Sequence, residues 1–222
     1  MSDYMNIFDI IGPVMIGPSS SHTAGAARLG KLARNIFGEE FFQADIILYN
    51  SFAKTGKGHG TDKAIVAGIL GMEPDDENIK KAIEISREFG IEVNFSFEDL
   101  KREVHPNTAR IKLYGKENTM TISGCSLGGG RVMIQDIDGF KTEFTGEFNT
   151  IISIQRDKPG IVAYVASYLA QSNINIAQMK LSRKSKGDMA LMIIETDEIP
   201  PKSVKRDLES HEGIYKIVVA TV

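Results

Sequence analysis

The last third of the chain alternates between strand-like and helix-like segments in an order that few folds allow. Four segments are rich in β-branched and apolar residues and are predicted as strands: 150–155, 174–182, 189–196 and 214–222. Two segments between them have amphipathic helical spacing: 159–171 and 200–210. The resulting order, βαββαβ in about 75 residues, is that of the ferredoxin-like split βαβ unit. We therefore expect a separate domain over residues 148–222.

The first 147 residues have helical patterns near their start and strand patterns further along. Helices are predicted at three places: 21–37, from 61 or 62 to about 70, and 75–89. Strands are predicted at five places: 45–52, 91–97, 109–114, 119–124 and 131–137. The sequence thus predicts an α/β (α+β) protein of two domains, 1–147 with a mixed sheet and 148–222 with the ferredoxin-like unit.

Charge and cysteine content exclude several classes of function. The net charge is −3 without a long basic run, which argues against a nucleic-acid partner. No stretch reaches the roughly 18 apolar residues of a membrane helix, and no signal-peptide pattern is visible, so we expect a cytoplasmic protein without a membrane partner. Cys125 is the only cysteine, whereas a four-iron cluster takes about four thiolates. This chain alone therefore cannot ligate such a cluster.

Hydroxyl side chains are concentrated just before the first predicted helix. The motif consists of five consecutive polar residues: Ser19, Ser20, Ser21, His22 and Thr23. Free N–H groups at a helix start and neighbouring hydroxyls together suit a carboxylate, so the motif indicates a substrate-binding cradle. Ordinary helix capping is the alternative, but it needs only one of these serines. For His22, a ligand contact and a hydrogen bond at the helix start remain equally open.

A second histidine stands between two glycines, in Gly58-His59-Gly60. Glycine neighbours leave its imidazole unshielded, and a helix is predicted to begin at Thr61 or Asp62. The positive end of that helix favours the neutral imidazole, which is the form that accepts a proton. The motif indicates a general base working near neutral pH. The alternative is a loop histidine bonded to backbone.

A third motif, His105-Pro106-Asn107, comes directly before a predicted strand. Proline fixes an extended approach to the strand, and the two polar side chains could hold a substrate group or a neighbouring chain. A local turn with a satisfied histidine explains the motif equally well.

A fourth motif follows a predicted strand and contains Ser126, Gly128, Gly129 and Gly130. Its hydroxyl and its closely approachable amides could bind an anion. The alternative is a β-bulge or a sharp hairpin. A pyridoxal-phosphate site is disfavoured, because the chain is short for such an enzyme and no lysine stands in a suitable context.

The C-terminal domain resembles an ACT domain. Its first strand runs into Asp157-Lys158-Pro159-Gly160, which is followed by a helix and then by the segment 174–183. In ACT domains a turn of this type faces the ligand, and the new helix offers free N–H groups to a carboxylate. The resemblance implies that Asp157, Pro159 and Gly160 form a ligand turn and that the domain pairs with a second copy.

Four motifs resemble those of the beta chain of bacterial iron–sulfur L-serine dehydratases: 11–30, 54–71, 105–111 and 123–132. The resemblance implies an N-terminal fold similar to the allosteric substrate-binding domain of some phosphoglycerate dehydrogenases. It also implies a 4Fe-4S cluster ligated by a separate alpha subunit, and conversion of L-serine into pyruvate and ammonia. The resemblance further implies that His59 takes the Cα proton of serine at an active site shared with the alpha subunit, with Thr61 nearby.

Two other functions remain open at this point. The chain could be a regulatory module that senses serine through either domain and changes subunit arrangement without chemistry of its own. It could also be a stand-alone ACT protein that binds an amino acid. A stoichiometric complex with a cysteine-rich partner would exclude the stand-alone protein.

Overall fold

A computed structural model describes residues 14–100 and 103–220 of the chain. Two predicted segments extend past these limits. Residues 11–13 of the first motif and residues 221–222 of the last strand lie outside the described residues. Within residues 14–100 and 103–220, no helix is both long and apolar enough to cross a membrane.

The chain divides into two compact units. Among the described residues, those from 14 to 34 group with those from 39 to 138, and residues 35–38 group with those from 139 to 220. The domain boundary at 147/148 stays a prediction, since a compact unit is defined by internal contacts and not by the limits of a sequence family.

The first unit combines helices with a mixed sheet, as predicted. Its helices are α1 (Gly25–Phe37), α2 (Asn50–His59), α3 (Thr61–Ile69) and α4 (Ala82–Glu88), with a π-helical turn at Ser20–Ala24 and a 3-10 turn at Glu77–Lys81. The last three residues of α1, 35–37, group with the second unit. The strands of the first unit are β1 (Phe41–Tyr49), β2 (Glu92–Glu98), β3 (Thr108–Gly115), β4 (Thr119–Gly128) and β5 (Arg131–Ile137). They lie in the order β2-β1-β3-β4-β5. Only β1 and β2 run parallel; the other pairs are antiparallel.

The sheet buries one face because apolar residues alternate along its strands. Ala44, Ile46 and Leu48 of β1 are buried, whereas the residues between them are half-buried. Leu29 of α1 packs on this sheet at Gly124 of β4, where a methyl group would come within 2.7 Å of the Leu29 side chain. The missing side chain at Gly124 thus lets α1 approach the sheet.

Helices α1 and α3 meet backbone to backbone through a pair of glycines. A Cβ atom at Gly68 of α3 would lie 1.9 Å from the carbonyl oxygen of Ala27, and a Cβ atom at Gly30 of α1 would lie 2.2 Å from that of Ile65. No real side chain fits either space, so the two glycines fix how closely the helices cross.

The segment 50–59 is helical, and the predicted strand 45–52 is therefore wrong at its C-terminal end. Asn50 turns the chain with a positive φ of 50°, and α2 begins there. Its glycines lower helix propensity, but Phe52 is fully buried and Gly56 packs on Leu48. Tertiary packing thus overrides a local sequence that is typical of a loop.

The second unit confirms the predicted βαββαβ order and has one further strand before it, which the sequence analysis did not predict. It contains β6 (Phe140–Phe144), β7 (Asn149–Arg156), α5 (Ile161–Gln171), β8 (Ile176–Arg183), β9 (Met189–Thr196), α6 (Val204–Glu209) and β10 (Ile214–Ala220). The four-stranded sheet has the order β10-β7-β9-β8, with every neighbouring pair antiparallel. Its core includes Val165, Leu169, Met192 and Leu208. This is the ferredoxin-like arrangement, and the predicted fold class is correct.

One carboxylate is buried in this unit, and it should make stability depend on pH. Glu195 of β9 is only 7% exposed. Burial raises the pKa of Glu195, and the charge of Glu147 raises it further. The unfolded chain ionises first, so stability falls as pH rises from the ordinary carboxyl range through the raised pKa of the folded state.

We expect Glu195→Gln to remove this loss of folding stability at high pH. At pH 8 the variant should melt roughly 2–4 °C higher than the parent, which is what about 1 kcal/mol produces in a chain of this size. At pH 4 the two should melt at nearly the same temperature, because Glu195 is then mostly protonated in both the folded and the unfolded state. Calorimetry at both pH values measures the difference. Glu212→Gln, at an exposed ion pair with Lys158, is the control and should shift neither curve. A gain that is equal at both pH values would contradict the assignment to ionisation.

Candidate active site around His22 and His59

Three segments of the first unit converge on the imidazole of His22. They are the π-helical turn at Ser20–Ala24, the start of α2 and the junction between α2 and α3. The Phe52 ring centroid lies 5.5 Å from that of His22, and the His59 centroid lies 5.2 Å away in an edge-on arrangement. Sequence-distant motifs that were predicted to bind or react are thereby brought together.

Both nitrogens of His22 contact hydroxyl groups. Nδ1 lies 3.1 Å from Ser21 Oγ and 3.2 Å from Ser19 Oγ, and Nε2 lies 3.0 Å from Ser51 Oγ. Burial lowers the pKa of His22, and the nearby His59 lowers it further. A neutral ring has one donor and one acceptor nitrogen, and a hydroxyl can meet either of them. His22 therefore organises three hydroxyls around an uncharged centre.

The serine tract also caps the helix, so the two sequence interpretations are not exclusive. Ser19 Oγ accepts the N–H of His22 at 3.2 Å, which is an ordinary N-cap bond. Ser20 contributes its carbonyl, which accepts the N–H of Gly25. Thr23 is buried, and its hydroxyl donates to the carbonyl oxygen of His59 at 3.4 Å. The tract is thus a π-helical turn that faces a second histidine, and such turns are frequent at functional sites.

His59 itself is exposed at the junction of two helices. It is the last residue of α2, Gly60 follows with a φ of 70°, and α3 begins at Thr61. The negative end of the α2 dipole and the positive end of the α3 dipole lie next to each other here. The field of α2 therefore opposes that of α3 at the His59 imidazole. An imidazole in this position can reach a molecule that approaches from outside the chain.

Thr61, predicted beside His59, is turned inward. Its side chain is fully buried, and its hydroxyl has no hydrogen-bond partner within the described part of the chain. The structure brings Thr61 to the start of α3 but does not expose it next to the imidazole.

The loop at 105–107 supports the site through its backbone. His105 Nδ1 accepts the N–H of Asn107 at 3.2 Å, which is the local turn considered from sequence. The carbonyl of Pro106 accepts the N–H of Ser51 at 2.9 Å. The carbonyl of Asn107 accepts the N–H of Ser126, also at 2.9 Å. This loop therefore holds the backbone of Ser51, whose hydroxyl contacts His22.

The glycine motif after Ser126 forms a hairpin turn. Gly128, Gly129 and Gly130 all have positive φ angles, between 60° and 98°, and they connect β4 to β5. Arg28 of α1 donates to the carbonyl of Gly130 at 3.1 Å. Ser126 is fully buried against the start of α1, and its hydroxyl has no hydrogen-bond partner among the residues described.

Sequence reasoning missed Ser51. The segment 45–52 has the pattern of a strand, and within a strand Ser51 has no reason to stand out. The usable signal is its position after Asn50, a residue that tolerates a positive φ and can end a buried strand. Polar residues at such a strand end are good candidates for a site.

The predicted ligand turn of the second unit is already bonded within its own chain. The Asp157 carboxylate accepts the N–H of Gly187 at 2.9 Å and a guanidinium N–H of Arg183 at 3.1 Å. Both hydrogen bonds lower the pKa of Asp157, and the bond from Gly187 has the larger effect. Pro159 and Gly160 are exposed, and the N-terminus of α5 begins directly after Gly160. The start of α5 in this turn is therefore exposed, whereas the Asp157 carboxylate is already hydrogen-bonded within the chain.

The residues of this chain do not fit an iron–sulfur cluster. Cys125 is only 1% exposed, and burial raises the pKa of its thiol, which favours the form that does not bind metal. Across residues 14–100 and 103–220, no three His, Cys, Asp or Glu side chains are grouped as metal ligands would be. Cys125 is thus a small buried residue with a free thiol.

Comparison with known proteins agrees with the two units. Residues 6–137 match the model of the serine dehydratase beta chain, and residues 150–213 match that of the ACT domain. The chain is 47% identical to a probable L-serine dehydratase beta chain of Bacillus subtilis, covering 96% of this chain and 97% of that one. It is 38% identical to an L-serine dehydratase beta chain of Peptoniphilus asaccharolyticus, with 92% of each covered.

A more distant relative matches most of the chain. D-3-phosphoglycerate dehydrogenase of Synechocystis is 25% identical over 85% of this chain, which corresponds to 34% of that enzyme. This match fits the predicted similarity to a domain of phosphoglycerate dehydrogenases. The near-complete, closely similar matches decide the assignment: the chain belongs to the serine dehydratase beta chain family and carries a C-terminal ACT domain.

Proposed function

We propose that this chain is the beta subunit of an iron–sulfur L-serine dehydratase, which converts L-serine to pyruvate and ammonia together with a cluster-bearing alpha subunit. The observation that carries the proposal is an exposed imidazole, His59, beside a neutral His22 that is surrounded by serine hydroxyls. The names of the two close relatives, both beta chains of L-serine dehydratases, support it.

In this proposal His59 is the general base. Its neutral imidazole accepts the Cα proton of serine, and the electron pair left behind forms the Cα–Cβ double bond as the β-hydroxyl departs. Aminoacrylate results; it tautomerises to an imine, and water hydrolyses the imine to pyruvate and ammonia. The exposure of His59 suits this role, because the substrate must be reached across a subunit boundary.

The hydroxyl groups around His22 are proposed to bind the substrate. Ser19, Ser21 and Ser51 lie within 3.2 Å of the imidazole and can donate to a carboxylate. A neutral His22 holds these hydroxyls in place without adding a positive charge next to the base. This arrangement suits a small zwitterion, whose carboxylate would be held while its Cα–H bond points to His59.

The cluster is proposed to belong to the alpha subunit. The single buried thiol of this chain cannot supply the ligand set. The partner's cluster would supply a Lewis acid, and this chain would supply the base and the binding groups. Pairing of two copies through the ACT domain, and a cytoplasmic location without nucleic-acid or membrane partners, remain predictions.

Reconstitution tests the function. We expect this chain and a serine dehydratase alpha subunit, co-expressed without oxygen, to purify as a stoichiometric complex that contains iron and sulfide and forms pyruvate from L-serine. Each chain alone should form none. Pyruvate formation by this chain without its partner would overturn the proposal. A complex that contains the cluster but binds serine without turning it over would favour a regulatory role.

A further inference from the structure

The second unit contains a cavity that the proposed reaction does not use. Its volume is about 450 Å³, which lies within the range of pockets that bind small molecules, roughly 300–1,000 Å³. Phe37, Ile217 and Val218 line it and are buried. Ile199, also lining the cavity, is 72% exposed. Ile199 thus gives the cavity an apolar surface that a solute can reach.

Every charged side chain that lines this cavity is a lysine. Lys202 and Lys205 lie near the start of α6, and Lys216 lies on β10. The chain has 29 acidic and 26 basic residues, so a purely basic lining does not follow from composition. Opposite charge is what such a lining would attract.

The lysines differ in what they already contact. The ammonium of Lys216 donates to the carbonyl of Phe37 at 3.3 Å and lies 5.4 Å from the centroid of its ring. Lys202 and Lys205 are exposed, and among the residues that the structure describes neither forms an ion pair. Two cations therefore stand at the cavity without an acidic partner.

We propose that this cavity binds a small amphiphilic anion, whose apolar body lies on Ile199 and Val218 and whose acidic group contacts Lys202 and Lys205. Neither feature alone specifies such a ligand: an apolar cavity accepts neutral molecules, and exposed lysines attract any anion. Serine has no apolar body, so this ligand differs in class from the proposed substrate. The acidic group can be a carboxylate or a phosphate, since a lysine ammonium binds both.

The fluorescent aromatic sulfonate 8-anilinonaphthalene-1-sulfonate combines both features and is a suitable probe for the full-length chain. We expect saturable binding at one site per chain. Lys202→Glu with Lys205→Glu should weaken it by at least about tenfold, because two attractive contacts become repulsive. The control is Lys80→Glu with Lys81→Glu, which changes net charge equally at exposed positions of the first unit and should alter binding by less than about twofold.

Displacement of the probe separates the possible ligands. Octanoate or octyl phosphate should displace it at concentrations at least about tenfold below those needed with octanol or inorganic phosphate, and the better of the two identifies the acidic group. Ile199→Glu, at an exposed position, should also weaken binding of the probe. Three results would overturn the proposal: no saturable binding, equal binding by the Lys202/Lys205 variant, or displacement by octanol or inorganic phosphate as effective as by the amphiphiles. These readouts need no dehydratase activity, so they are independent of the proposed reaction.

Discussion

His59→Ala in the assembled two-subunit enzyme is expected to lower kcat for L-serine about 10³-fold. A positioned general base contributes roughly 10² to 10⁴ to such rates, and alanine leaves no group to accept the Cα proton. Because His59 is exposed at the end of α2, its removal should change the free energy of unfolding by less than about 0.5 kcal/mol. Steady-state pyruvate formation at saturating serine measures the effect.

Four readouts distinguish a catalytic from a structural role of His59. The variant should keep its partner, its iron and sulfide content and its melting temperature. Added imidazole should restore part of the rate, because it can enter the space that the side chain leaves. Lys63→Ala, four residues further along at an exposed position of α3, is the control and should keep full activity. An undiminished maximal rate in the His59 variant would favour a serine-sensing module over a catalytic subunit.

The second large effect is expected at a residue that touches no substrate. Gly68→Ala should destabilise the first unit by about 3 kcal/mol or more, since the new methyl group would lie 1.9 Å from the Ala27 carbonyl oxygen and 2.7 Å from the Lys31 nitrogen. Both neighbours are backbone atoms of α1 and cannot turn aside. Calorimetry should show a melting temperature lowered by roughly 6–12 °C.

Gly58→Ala is the matched control for this substitution. It makes the same change in a helix, but a Cβ atom at Gly58 would meet nothing within 4 Å. Alanine is a better helix former than glycine by roughly 1 kcal/mol, so the control should melt at the same temperature or higher. If both variants lost stability equally, the close crossing of α1 and α3 would not be the cause.

The fold was predictable where hydrophobic periodicity is strong. The strands at 109–114 and 131–137 and the whole βαββαβ order follow from periodic or β-branched residues, and the structure has their ends within four residues of the predicted ones. Helix α2 was not predictable in this way, since Gly56 and Gly58 are typical of a loop. It forms because Phe52 and Gly56 pack into the unit, and that contact is tertiary.

The site was predictable in its parts but not in its geometry. The serine tract and His59 stand out as unusual local sequences, and the structure brings His22 and His59 to 5.2 Å between ring centroids. Ser51 did not stand out, because its contact with His22 joins residues 29 positions apart. The inward orientation of Thr61 and Ser126 likewise depends on neighbours that no local pattern specifies.

The π-helical turn at Ser20–Ala24 makes the length of the serine tract as important as its composition. A π turn accommodates one residue more than an α turn does, and each residue of a helix rotates the following side chains by about 100°. A relative that lacks one serine here would form a regular helix and aim its histidine elsewhere, even with every other residue unchanged. When family members are aligned, a one-residue gap in this tract should therefore separate chains that can build this pocket from chains that cannot.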